Sequence, residues 1–316
     1  MIFVVLLGNI ILFGALAIPG YLLGKLGKVT DGALASITNI LTAVAMPALV
    51  FSKLIMIDFP SLGTAAIVCC VLFPIGITYM LNLLTMVLFR GEMGDGRVGA
   101  SRFCAIFSNC GFLGIPLASA MFPDEPGVVA FVSLFNVFST LMLLTLGVYV
   151  YSGDRRDICV RRAILKPITI AVVLGIVCSL LGIGDMIPAV GTYADYLAAL
   201  TTPLAMIVLG VQLSKLSVRE IFCSAGVYAV SAVKLIVSPL MAMGVLLLLR
   251  TVGVPIGAEL VVALMISTGV STAASAPAMA ERYGADSRYA AILTLGTTML
   301  CMISLPMISL LFNLLF

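Results

Sequence analysis

The chain has 316 residues, 62% of them hydrophobic and 10% charged, with a formal net charge of +3 and a mean hydropathy of +1.24. Soluble domains carry roughly a quarter charged residues, so the composition excludes a packed aqueous core and describes an integral membrane protein. Histidine is absent, which removes the usual zinc ligand and the usual general base. No GxSxG, HExxH or Walker A pattern occurs, and an enzyme is not expected.

A helix needs about 20 apolar residues to cross the hydrocarbon. On that rule the chain divides into ten spans, at 3–24, 33–55, 62–89, 99–121, 127–151, 166–184, 190–214, 221–249, 258–281 and 287–315. The runs are too long and too uniformly apolar for a closed barrel, so the expected fold class is all-α. The first charge, Lys25, follows the first apolar stretch instead of preceding it, so that stretch reads as a retained helix and not a secretory signal. The eight cysteines fall mostly inside apolar runs without a CxxC pair, and read as small packing residues.

Basic residues set the orientation. The odd-numbered connections hold 14 of the 17 lysines and arginines, the even ones hold Lys53 and Arg250, and Lys234 lies inside a span. The odd connections are therefore expected on the cytoplasmic side of a cell membrane, with both termini extracytoplasmic. The most basic connection, 152–165, divides the chain into five spans and five, as units 1–151 and 166–316. An odd number of spans per unit makes any repeat an inverted one.

Two spans are interrupted at matching places. One carries Ser108-Asn109-Cys110-Gly111-Phe112-Leu113-Gly114-Ile115-Pro116, the other Ser267-Thr268-Gly269-Val270-Ser271-Thr272-Ala273-Ala274-Ser275-Ala276-Pro277. Proline lacks an N–H and excludes the preceding residue from helical geometry. Broken backbone in hydrocarbon survives only where it is buried or lines a wet cavity. Interrupted spans paired between two halves point to a transporter's binding site. Pro47 and Pro203 form a second matching pair. Half-helices starting at Pro116 and Pro277 would aim free N–H groups and partial positive charge at one point, an anion site made of backbone.

Individual side chains extend that reading. Asn109 offers an acceptor and two donors, to a carboxylate or to its own broken helix. Lys234 needs carbonyls, water, an anion or a distant carboxylate, because charge inside the membrane costs roughly 2.5–3.5 kcal/mol on insertion scales. Ser271, Thr272 and Ser275 can contact substrate or re-satisfy freed backbone. Asn39, Asn136 and Gln212 are secondary candidates that interhelical hydrogen bonding also explains.

The stretch Asn109-Cys110-Gly111-Phe112-Leu113-Gly114-Ile115-Pro116-Leu117 resembles the fourth-span motif of the auxin efflux carrier family. Pro203-Leu204-Ala205-Met206-Ile207-Val208-Leu209-Gly210-Val211-Gln212-Leu213 is similar to that family's seventh span. Lys234 to Leu240, Pro277, Ala280, Tyr283 and Ser304-Leu305-Pro306 continue the likeness in order. The resemblance implies the fold of bile-acid sodium symporters: ten helices in two inverted repeats, with helices 4 and 9 crossing at the midplane. It implies a scaffold from helices 1, 2, 6 and 7, and a moving elevator-type transport domain from helices 3–5 and 8–10. It implies a homodimer in a lipid bilayer, with an auxin-like or malate-like carboxylate as substrate and no cofactor or nucleic acid. The substrate site would gather Asn109, Gly111, Gly114, Ile115, Pro116, Lys234, Ser271, Thr272, Ser275 and Pro277, with no metal. Coupling to protons or sodium stays open, as do a sodium symporter of the bile-acid type and a passive anion pore.

The charge pattern yields a direct expectation. In a cysteine-free background, a single cysteine placed between Arg155 and Arg162 is shielded from impermeant reagents in intact cells and reacts once the membrane is opened. Labelling from outside overturns the span count.

Overall fold

The computed structural model describes residues 2–57, 64–91, 95–154, 156, 158, 164–254 and 256–315. Half of the expected basic linker, including Arg155, Arg161 and Arg162, lies outside the described residues. The chain is helical: α1 Ile2–Lys25, α2 Asp31–Leu54, α3 Thr64–Leu88, α4 Gly96–Ile106, α5 Cys110–Met121, α6 Pro126–Ser152, α7 Pro167–Leu180, α8 Pro188–Ser214, α9 Ala225–Thr251, α10 Ala258–Gly269, α11 Ala276–Arg282 and α12 Ser287–Leu315. Seven of these (α1, α2, α3, α6, α8, α9 and α12) are long and apolar enough to cross a membrane. α5, α7 and α10 are shorter apolar helices. Two expected spans are split, 99–121 into α4 and α5, and 258–281 into α10 and α11.

Apolar side chains lie outside as well as inside. Leu12, Leu22, Leu72, Leu83, Val173, Leu181 and Ile303 are all more than half exposed. Such a surface suits acyl chains and not water. With lipid around it, helix association depends on close van der Waals fit, and small residues supply it. α1 lies along α8 on this basis: a Cβ at Gly20 would overlap the carbonyl of Ile207, and one at Gly210 the carbonyl of Ala17. α2 packs on α7 and α8, α6 on α3 and α10, and α12 on α4, α9 and α11.

Prolines bend this framework without cutting it. Widened turns occupy Leu41–Ala45, Cys110–Gly114 and Ala232–Val237, immediately ahead of the segments that carry Pro47, Pro116 and Pro239. A proline ring clashes with the carbonyl one turn back, and an extra residue in that turn relieves the clash while keeping the other bonds. The Asn109 carbonyl thus accepts from both Leu113 (3.1 Å) and Gly114 (3.2 Å). This corrects the expectation of a half-helix starting at Pro116. Helical bonding runs through that proline, and the interruption lies earlier, at Phe107–Asn109 between α4 and α5. In the second half the interruption, Val270–Ser275, does adjoin Pro277, the second residue of α11.

The two interruptions cross and pair. Asn109 N–H donates to the Ser271 carbonyl at 2.7 Å, and Ala273 N–H to the Phe107 carbonyl at 2.9 Å, forming an isolated antiparallel bridge at Ser108 and Thr272. Side chains take further carbonyls at the broken helix ends. The Thr272 hydroxyl donates to the Cys104 carbonyl at 2.7 Å and the Ser238 hydroxyl to that of Thr268 at 3.4 Å. The Cys110 thiol lies 3.8 Å from the Ser267 carbonyl and the Cys301 thiol 3.6 Å from that of Gly269. These two cysteines therefore do more than pack; they are weak donors at a broken helix end. Removing the Thr272 hydroxyl leaves a buried carbonyl unmet, at about 1–3 kcal/mol. Thr272→Val is expected to lower the unfolding midpoint of the detergent-solubilised protein, while Thr272→Ser stays near the parent. Equal midpoints for all three would show the bond to be dispensable.

Candidate functional site

Beside the crossing lies a cavity of about 290 Å³. Its walls come from α2 (Thr42, Met46), the first interruption and α5 (Ser108, Asn109, Gly111, Phe112), α6 (Asn136, Thr140, Leu143), the start of α7 (Lys166, Pro167, Ile168) and the second interruption (Ala273 to Ser275). The polar groups are hydroxyls and amides, which both donate and accept. Among the described residues lining it, Lys166 is the one basic residue and none is acidic. The cavity is cationic and suits an anion with a partly apolar body.

Behind this surface sits Lys234. It is fully buried on α9, inside the widened turn before Pro239. Its Nζ donates to the Ser108 hydroxyl oxygen at 2.5 Å, and no carboxylate among the described residues pairs with it. An ammonium only donates, so Ser108 accepts, and its own proton is free to be directed elsewhere. Ser108 also lines the cavity. The buried positive charge is thereby presented to the cavity through one polarised hydroxyl.

The expected site residues separate into groups. Asn109, Gly111, Ser275 and Asn136 line the cavity. Gly111 keeps it open: a Cβ there would lie 3.2 Å from Met46 Cε and 3.5 Å from Asn136 Oδ1. Lys234 is one hydrogen bond behind it. Ser271 and Thr272 are buried in the crossing, where the Ser271 carbonyl and the Thr272 hydroxyl are committed to repair. Gly114, Ile115 and Pro116 are buried in packing and do not line the cavity. Pro277 is half-buried, and its carbonyl accepts from Ser287 at 3.0 Å. Gln212 borders a narrow crevice on another side of Asn109. Asn39 is exposed on α2, outside the lining.

Four polar or charged lining residues escaped the sequence reading: Thr42, Ser108, Thr140 and Lys166. Ser108 stood in the flagged stretch but was passed over for its neighbour Asn109. Lys166 was read only as a topogenic charge. Thr42 and Thr140 carry no sequence signal, because threonines on membrane helices usually bond their own backbone, as Thr42 does to the Thr38 carbonyl at 2.8 Å.

Comparison with known proteins agrees with this architecture. The sequence profile of the family described as membrane transport protein matches twice, over residues 9–159 and 156–309. An uncharacterised transporter of Methanothermobacter thermautotrophicus is 28% identical over 232 residues, covering 73% of this chain and 74% of the relative. An uncharacterised transporter of Methanocaldococcus jannaschii is 30% identical over 210 residues, covering 63% of this chain and 66% of the relative. With both halves matched, the chain belongs to the membrane transport protein family, the family of the auxin efflux carriers.

Proposed function

We propose that this membrane transporter is a secondary carrier of a small organic anion, of the carboxylate class, which binds in the cavity beside the crossing and is passed across by alternating access. The observation that carries the reading is a cationic cavity, without acidic lining, at the point where the two interrupted segments pair. In this reading α4 with α5, and α10 with α11, each make one crossing, giving ten crossings in two inverted units. The double profile match supports the repeat. α1, α2, α7 and α8 form the scaffold and the other helices the transport domain. The ion pairs among the described residues fit that division. Lys215 to Asp31 joins scaffold ends, whereas Arg97 to Asp286 and Arg288 to Glu220 stay within the transport domain. None of the three would hinder movement of one against the other. The cavity is walled by both groups, as a carrier requires.

Lys234 supports independence from sodium. A fixed ammonium bonded to the crossing supplies the positive charge that a coupling ion would otherwise bring to the anion site. A pore is the weaker reading, because pores are built on rings or constrictions along one axis.

Counterflow in proteoliposomes separates carrier from pore: a carrier exchanges labelled against unlabelled carboxylate, a pore does not. A hydrogen bond to a charged ligand contributes about 1.5–3 kcal/mol, so Asn109→Ala is expected to weaken affinity about ten- to hundredfold with the unfolding midpoint near the parent's. A large fall in midpoint alongside lost exchange would assign Asn109 to structure instead.

The lysine is tested separately. Replacing sodium by choline is expected to leave uptake unchanged, and Lys234→Met to impair transport more than Lys234→Arg. Uptake that collapses in choline, together with a Lys234→Met variant that transports like the parent, would reduce the lysine to a tether.

A further inference from the structure

The cavity's two cationic features come from different helices, α9 and the start of α7. Lys234 acts through Ser108 of the crossing, which lines the cavity together with Asn109, Asn136 and Ser275 of the interruptions and α6. Lys166 stands at the start of α7, on the side shared with α2. Its backbone is held there, because its carbonyl accepts from Thr169 at 2.9 Å and Ile170 at 3.1 Å, and Pro167 fixes the first helical residue. Its side chain is half-buried and has no ion pair with a described carboxylate. The start of α7 adds the partial positive charge of a helix N-terminus to the ammonium. Lys166 also directly follows the basic connection, so it marks the face of the protein to which that connection belongs.

We propose that Lys166 is a one-sided charge-selecting residue. It draws a carboxylate into the cavity when the cavity opens to the face of the basic connection, and is left behind when the cavity is carried to the other face. This rests on the alternating-access reading above. The physical basis is that a cationic wall of a low-dielectric cleft concentrates anions and speeds their entry. That benefit exists only while Lys166 lines the cavity. Ser108, with Lys234 behind it, travels with the bound anion, whereas Lys166 belongs to the stationary wall. The two lysines thus divide the work: Lys234 is present in every state, and Lys166 in one.

The test compares KM from the two faces, in inside-out and right-side-out vesicles carrying the full-length protein. The probe is whichever of acetate, benzoate, succinate, malate and indole acetate gives the largest counterflow with the parent. Lys166→Gln is expected to raise KM about fivefold from the connection face and less than twofold from the other, with maximal rate retained. Lys166→Arg restores the parental value, which a purely structural defect would not predict. In the parent itself, added salt should raise KM from the connection face alone, because a half-exposed charge is screened; that measurement stands even if a variant expresses poorly. A symmetrical rise in KM, or none, overturns the inference while leaving the carrier intact. Absence of counterflow with every probe overturns the carrier reading, and this inference with it.

Discussion

The structure depends on two backbone hydrogen bonds between segments more than 160 residues apart in sequence, Asn109 N–H to Ser271 and Ala273 N–H to Phe107. Hydrocarbon offers no water to an unpaired peptide group, and each orphan costs several kcal/mol. A helix interrupted within hydrocarbon survives only if its freed groups find partners. Here each interruption is the other's partner. Neither half is satisfied without the other, so the crossing ties them together at one point. The hydroxyls of Thr272 and Ser238 and the thiols of Cys110 and Cys301 complete the repair.

That arrangement also explains how a charge is tolerated. Lys234 is fully buried and bonded to Ser108, one of the two residues at the antiparallel bridge. Extended backbone at Ser108 lets its hydroxyl lie between the ammonium and the cavity. Burying an unpaired ammonium is costly; here the Ser108 hydroxyl accepts from it, at the edge of the cavity. On either side of the paired backbone, Asn109 and Ser275 stand at the cavity wall while Ser271 and Thr272 stay inside the crossing.

The prolines shape the surroundings in a less obvious way. Three of them follow widened turns, and those turns place Thr42, Gly111 and Lys234 at or behind the cavity. A widened turn shifts the helical phase after it, so side chains on either side no longer share one stripe. Gly114, Ile115 and Pro116 were expected at the site as the start of a half-helix; because helical bonding runs through Pro116, they are buried in packing and do not line the cavity.

By itself the sequence determined the membrane class, the helical content and the two interrupted stretches. Those follow from local quantities: hydropathy over about 20 residues, and proline and glycine inside apolar runs. Asn109, Gly111 and Ser275 were legible as polar or small residues in those stretches, and Asn136 as a lone amide inside another apolar span. Tertiary structure alone decided which freed groups pair, that the first interruption falls at Phe107–Asn109 and not at Pro116, and that Ser108 joins Lys234 to the cavity. It alone brought Lys166 from a basic connection to the cavity wall. Pairing between segments far apart in sequence, and the phase shift of a widened turn, are set by packing in three dimensions, and no local pattern of residues encodes them.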